Sequence, residues 1–297
     1  MLYITEDQVR AKLTVAKCIE VLRDAFNHEF VNIPRYRLKS QNALLHVMSA
    51  SIPDLGIIGL KTYTTTKSGN SFVVILFDEK RGDLLAVLEA DALGQIRTGA
   101  ASGLATDLLA RADTKIGAII GTGFQGETQL LAIDAVRSFD EIRVYSRSEE
   151  NRSQFVKKMT GSVRAKLHSV DSAEEAVKDA DVICTITSAK EPVVLRPWIR
   201  KGAHINAAGG NWAIKRELDP DIVRDCQLIC VDHREQSKIE SGDLIGVIND
   251  WNSILELTDI VKAKVHRNPA DITLFKSNGI AVEDISAANF VYHASNK

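Results

Sequence analysis

Six consecutive residues, Gly121-Thr122-Gly123-Phe124-Gln125-Gly126, and three scattered cations, Arg35, Lys61 and Arg97, carry the chemistry visible in this sequence. The glycines follow a short apolar run (117–120) and open a helical pattern. In that setting GxGxxG reads as a dinucleotide fingerprint. Gly121 permits the tight turn, Gly123 lets a pyrophosphate approach the backbone, and Gly126 lets helix and strand pack closely. The helix N-terminus offers free N–H groups and a positive dipole end to the phosphates. The spacing alone is a weak signal, because a βα turn with no ligand can use the same glycines.

The second strand of such a unit chooses the dinucleotide. NAD sites place an acid at its tip, about 20 residues on, to bind the ribose 2′-hydroxyl. Here the strand ends Val144-Tyr145-Ser146-Arg147-Ser148 and carries no acid. A guanidinium between two hydroxyls suits a 2′-phosphate. The expected cofactor is NADP(H), with NAD(H) possible.

Arg35, Lys61 and Arg97 precede the glycine loop. Arg35 follows Pro34 and reads as part of a turn. Lys61 falls in the strand-like Ile57–Thr62, where alternation calls for a core residue. Arg97 stands near the start of a helix poor in charge. Each could be solvated or salt-bridged, but three together suggest a carboxylate site, and the Arg fork matches a carboxylate.

The surrounding patterns supply the scaffold. Thr5-Glu6-Asp7-Gln8 fits a capping box, and a second helix begins at Thr14. Strand-like segments fill 43–90 and predict an antiparallel or mixed sheet. Asp91 is expected to cap a helix over 92–110 rich in Gly and Ala. From 115 onward strands and helices alternate, which predicts βαβ crossovers and a doubly wound parallel sheet. The stretch 216–226 reads as a helix with Glu217 in its first turn, and 277–289 as the last helix. The predicted organisation is α/β: a Rossmann domain over 113–275, and a separate α+β domain built from 1–112 with 276–297.

Composition narrows the function classes. Lys and Arg total 37 against 39 Asp and Glu, so no electrostatic case exists for nucleic acid or an anionic membrane. No apolar run is long enough to span a bilayer. No basic stretch leads into an apolar one at the N-terminus, and a cytoplasmic location is the default expectation. Cys18, Cys184, Cys226 and Cys230 form no CxxC pair, and no HxH or HExxH appears, so no metal site is expected.

Seven motifs occur in order: PRYRL (34–38), GLKTYTTT (59–66), QIRTGAASGLAT (95–106), IIGTGFQGETQL (119–130), VYSRSEEN (144–151), INAAGGNWAIKREL (205–218) and FKSNGIAVEDISAA (275–288). Together they resemble the ornithine cyclodeaminase/mu-crystallin family over nearly the whole chain. The resemblance implies a homodimer, with the N-terminal part and C-terminal tail forming the substrate-binding and dimerisation domain. It implies cyclodeaminases, alanine dehydrogenases, reductases of ketimines and cyclic imines, and a hormone-binding protein as possible activities. It also implies that Arg35, Lys61 and Arg97 hold a substrate carboxylate, with Lys61 closest to the reacting carbon. Thr122, Phe124 and Gln125 would line the pyrophosphate with the glycines, and Thr187 and Ser188 would lie beside the cofactor. Ser277–Gly279 would close over the nicotinamide.

One segment departs from the cyclodeaminase pattern, which has Asp where Asn211 stands and Pro-Gly where Ala213-Ile214 stand. Oxidising an amine requires loss of a proton, and Asn cannot accept one as a base. Reducing a preformed imine makes no such demand, and Lys61 is a plausible acid. The reading is therefore an NADPH-dependent reductase of a small 2-imino acid or cyclic ketimine carboxylate. The alternatives are NAD-dependent amino-acid oxidation and a non-catalytic NADP-dependent ligand-binding protein. The far wall of the pocket is expected from 48–51, 63–66 and Trp212.

Overall fold

A computed structural model of the chain describes residues 1–263 and 265–296. In chain order the first half contains β1 (Leu2–Ile4), α1 (Glu6–Lys12), α2 (Val15–Ala25), β2 (Val31–Lys39), β3 (Ala43–Ile52), β4 (Ile57–Thr66), β5 (Gly69–Asp78), β6 (Leu84–Glu89) and α3 (Asp91–Leu109). Then come β7 (Ile116–Ile120), α4 (Phe124–Val136), β8 (Glu141–Tyr145), α5 (Glu149–Met159), β9 (Lys166–Ser169), α6 (Ala173–Val177), β10 (Val182–Thr185) and β11 (His204–Ala207). The chain ends with α7 (Pro220–Asp225), β12 (Leu228–Val231), α8 (Arg234–Glu240), β13 (Leu255–Glu256), α9 (Leu257–Lys262), β14 (Thr273–Lys276) and α10 (Ala281–Ser295). It divides into two compact units, Met1–Arg97 with Gly279–Lys297, and Thr98–Asn278.

The first unit is a six-stranded sheet ordered β1-β6-β5-β4-β3-β2. β1 runs parallel to β6 and the remaining pairs are antiparallel. α10 packs on β3, β4, β5 and α2. The helix-side face carries the buried residues Met48, Ala50, Val74 and Leu76. Thr5 caps α1 with a capping box and Thr14 caps α2. Asp91 does not cap α3. It is the helix's first residue, and the Glu6 carboxylate accepts from the backbone N–H of Asp91 (2.6 Å) and of Ala92 (2.8 Å). A distant acid supplies the acceptor a local cap would have given.

Arg35 is not in a turn. It lies in the edge strand β2, whose register against β3 shifts between Ile33 and Tyr36. Val31 and Ile33 before the shift, and Tyr36 and Leu38 after it, are all exposed. An unbroken strand would put Arg35 with Val31 and Ile33, because side chains alternate with period two. The irregularity inverts the parity and turns Arg35 inward, as bulges do. Pro34 fits there because it has no ladder N–H to lose.

The second unit is an eight-stranded sheet ordered β13-β12-β14-β11-β10-β7-β8-β9, every pair parallel. Both faces are buried: Ala118 and Ile120 pack in one apolar cluster, Ile119 in the other. That burial explains the continuous apolar strands. The order reverses between β7 and β10, and this switch point is where α/β sheets place ligands. The doubly wound fold read from the sequence is present.

Two further elements differ from the sequence reading. The stretch 216–219 is not helical, and α7 starts only at Pro220 with Asp219 as its cap. Residues 277–280 precede the last helix, which begins at Ala281. The division between units falls inside α3, between Arg97 and Thr98, and after β14, between Asn278 and Gly279. α3 is one continuous helix with two kinds of packing. A Cβ on Gly94 would stand 2.8 Å from Lys61 Nζ, and one on Gly99 would stand 2.4 Å from the Thr128 carbonyl oxygen. The small residues of this helix are thus places where other groups come close.

Candidate active site

In the first unit, strand alternation puts Lys61 on the helix side of β4, opposite Met48 on β3 and Val74 on β5. Lys61 Nζ donates to Asp284 Oδ1 at 2.9 Å. Arg97 Nε donates to the same oxygen at 2.9 Å, and its Nη1 to Glu283 Oε2 at 2.6 Å. Arg35 Nη2 donates to the Gly279 carbonyl at 2.9 Å, and its Nε lies 3.3 Å from Met48 Sδ. All five charged side chains are buried. Three buried cations thus stand with two buried carboxylates, and cations of this kind suit a substrate carboxylate. Lys61 also lies 5.9 Å from the Tyr63 ring centre and 5.5 Å from that of Phe72. His46 stacks on Tyr63 with ring centres 4.1 Å apart.

Burial pushes the Lys61 ammonium down to about 8, against the attraction of Asp284 and with the repulsion of Arg97 and Arg35. A lysine in that range can release a proton near neutrality. Arg97 shows the opposite balance. Burial disfavours its charge, but Asp284 and Glu283 outweigh it and hold the guanidinium protonated. His46 is pushed down to about 4 by burial and by Arg37 and Arg35, so it is neutral.

Glu283 and Asp284 were absent from the sequence reading of the site. Their signal was present: two adjacent acids in the first turn of an otherwise apolar helix, the counterpart of Arg97 in a helix poor in charge.

The glycine loop of the second unit joins β7 to α4. Gly121 has φ +117°, and a Cβ there would stand 2.4 Å from the Ile186 carbonyl oxygen. A Cβ on Gly126 would stand 2.6 Å from the Gly121 carbonyl oxygen. A Cβ on Gly123 would meet nothing within 4 Å, so open space lies over this residue. Gly123 is the N-cap of α4 and supplies no cap side chain that would compete with a ligand at this helix N-terminus; the Gly126 N–H donates to the Gly123 carbonyl at 2.9 Å. Two glycines serve close packing and the third leaves room. That is the arrangement a pyrophosphate needs, and the loop fits a dinucleotide. Thr122, Phe124 and Gln125 lie between these glycines, and Phe124 is exposed.

At the tip of β8, Ser146 Oγ donates to the Ser148 carbonyl (3.1 Å), and Ser148 caps α5. Arg147 is exposed between them. Arg152 from α5 braces the tip through the Ser146 carbonyl (3.3 Å) and Asp171 (2.5 Å).

The ends of β10 and β11 are organised by Glu217, which is fully buried. It accepts from Thr185 Oγ1 (3.0 Å), from the Thr187 N–H (2.6 Å) and Oγ1 (2.8 Å), and from the Gly209 N–H (2.8 Å). Burial raises its pKa in spite of Lys276 and these donors. Asp243 Oδ1 accepts from the Glu217 and Leu218 N–H groups, at 2.7 and 3.0 Å. Lys276 Nζ lies 3.2 Å from Asp243 Oδ2, an ion pair without hydrogen-bond alignment, and donates to the Gly210 carbonyl at 2.6 Å. Glu217 is therefore not a first-turn helix acid but the anchor of the Thr187 and Gly209 segments. Ser188, next to Thr187, is exposed. Asn211 is half-buried in the loop that leads from Gly210 to Glu217.

Ser277 Oγ lies 3.5 Å from Asp232 Oδ2, and the Asn278 N–H donates to the same oxygen at 2.6 Å. Gly279 has φ +73°, and a Cβ there would run into the Arg97 guanidinium. Among the described residues no group of three or more His, Cys, Asp or Glu could hold a metal, and no helix is long and apolar enough to cross a membrane.

A parallel sheet with this loop at its switch point defines a Rossmann-type dinucleotide-binding protein, here joined to an α+β unit with a buried cation cluster. The chain belongs to the ornithine cyclodeaminase/mu-crystallin family, whose model matches residues 2–297. It is similar to the ketimine reductase mu-crystallin of Macropus fuliginosus, 36% identical over 229 residues, covering 77% of this chain and 71% of the relative. It is similar to the Δ1-pyrroline-2-carboxylate reductase of Bacillus cereus, 33% identical over 266 residues and covering 85% and 81%. The structure of the Thermococcus litoralis Δ1-pyrroline-2-carboxylate reductase, in complex with NADH and L-proline, is 34% identical with a TM-score of 0.93. That match covers 100% of this chain and 98% of the other.

Proposed function

We propose that this protein reduces a small 2-imino acid or cyclic ketimine carboxylate, of the 1-pyrroline-2-carboxylate or 1-piperideine-2-carboxylate type, with NADPH. The coarser statement is that it is a nicotinamide-dependent oxidoreductase of carbon–nitrogen bonds, as its reductase relatives are. The observation that carries the finer one is the buried cluster of Arg35, Lys61 and Arg97 beside Glu283 and Asp284. L-Proline, bound by the Thermococcus relative, is the product expected from 1-pyrroline-2-carboxylate.

A nicotinamide cofactor held at the Gly121–Gly126 loop would supply the hydride that the imine carbon needs. The protein's part is charge and orientation. Arg35 and the Arg97 nitrogen not taken by the two carboxylates orient the substrate carboxylate. Lys61 delivers the proton to the imine nitrogen, so that C=N becomes CH–NH. The Asn211 amide cannot act as the base that amine oxidation needs. Turnover of the two cyclic imines with NADPH tests the reading. No oxidation of NADPH across a panel of 2-imino acids would overturn it.

The Ser146-Arg147-Ser148 tip supports NADPH over NADH. Arg147→Ala is expected to raise the KM for NADPH about tenfold, the scale of one lost charge-assisted hydrogen bond, and to leave the KM for NADH unchanged. Equal effects on both cofactors would remove Arg147 from the argument.

The sheet face away from α10 supports a homodimer. It exposes Val31, Ile33, Tyr36 and Leu38 on β2 and Ile58 on β4, large apolar side chains of the kind that mark an interface. Light scattering should give twice the chain mass of 32.6 kDa. A monomer at micromolar concentration would exclude it.

A further inference from the structure

We propose that Asp284 sets the proton on Lys61: its carboxylate holds the ammonium charged inside a buried site and so fixes the pH range over which that proton can be delivered. The proposal rests on the reading of Lys61 as the acid of imine reduction. Asp284 would act through Lys61, which makes it a positioning residue.

The geometry is specific. Asp284 is fully buried in the first turn of α10. Its Oδ1 accepts from both Lys61 and Arg97, while its Oδ2 has no hydrogen-bond partner in the structure. One carboxylate oxygen thus sits between two cations, at 2.9 Å from each, so its charge acts on Lys61 and Arg97 together.

The surroundings of Lys61 make the counter-charge decisive. α10 contributes Asp284, which touches Lys61, and Glu283, which touches Arg97. α3 contributes Arg97 and β2 contributes Arg35, both repelling the ammonium. β3 contributes neutral His46, β4 contributes Tyr63, and α2 contributes Cys18, whose thiol is raised by burial. β5 contributes the apolar pair Phe72 and Val74. Burial and two arginines drive the proton off, and Asp284 is the carboxylate in contact that retains it. The ammonium titrates near 8 with that contact in place. Removing an opposite charge at this range lowers a lysine pKa by about 1 to 3 units. The charged fraction then falls from a lower pH upward, and the alkaline limb of the reduction moves with it.

Asp284→Asn keeps the shape and removes the charge. Two readouts are needed: kcat/KM for 1-pyrroline-2-carboxylate with NADPH through the neutral and alkaline range, and an NMR titration of isotope-labelled lysine side chains without substrate, with Lys61 assigned through Lys61→Met. The expected result is a shift of both to lower pH by about 1 to 3 units, with Asp284→Glu restoring the parental limb. Asp284→Ser gives the same readouts if the asparagine variant does not fold. A folded variant whose Lys61 titration is unmoved overturns the proposal, and a merely structural Asp284 would lower the melting temperature with that result. If the titration shifts while the parent turns over no imine, Asp284 still governs the proton and the imine-reductase reading fails.

Discussion

Lys61→Met is expected to lower kcat/KM for 1-pyrroline-2-carboxylate by about two to four orders of magnitude, the range a positioned general acid supplies. Methionine keeps most of the volume of the lysine stem, and such swaps cost little packing energy. It offers no proton and no charge. Asp284 is not orphaned by the change, because Arg97 Nε still donates to its Oδ1 at 2.9 Å. The loss should therefore fall on turnover and on the KM of the carboxylate substrate, while the fold and NADPH binding are retained. The pH dependence supplies a second check. The parent should lose rate above about 8 as the ammonium deprotonates, and the variant should lack that limb. A near-parental kcat in the variant would exclude Lys61 as the acid.

Glu217→Ala should be the most damaging change in the second unit. It strands four donors that now share one carboxylate: the Thr185 hydroxyl, the Thr187 N–H and hydroxyl, and the Gly209 N–H. Each buried donor left unpaired costs about 1 to 3 kcal/mol, and the combined loss should be about 3 kcal/mol or more. Urea unfolding followed by tryptophan fluorescence reads it directly. NADPH affinity should fall as well, because the Thr187 segment beside the glycine loop loses its anchor. Glu217→Gln retains an acceptor oxygen and should be milder. A stability change below about 1 kcal/mol in the alanine variant would mean that water replaces the carboxylate and that Glu217 is not the anchor.

Much of the fold was legible because it is written in local patterns. The parallel sheet follows from continuous apolar strands alternating with helical segments, and the glycine loop from φ and packing demands that only glycine meets. Thr5 and Thr14 cap their helices as their side chains predict. Where the reading failed, a remote group had replaced a local one. Asp91 looked like a cap, but the caps of α3 come from Glu6, 85 residues away in sequence. Glu217 looked like a first-turn acid, but its donors come from the ends of β10 and β11.

The amino-acid sequence alone determined the family and the two kinds of architecture, through motifs and periodicities that are local. Tertiary structure decided how the site residues are used. A register shift in an edge strand aims Arg35 inward, which residue type and spacing do not encode. Lys61 meets Asp284 across 223 residues of chain, and that contact favours the charged lysine against burial. Residue identity sets what a side chain can do. Its protonation and direction depend on burial and on neighbours brought together only by folding.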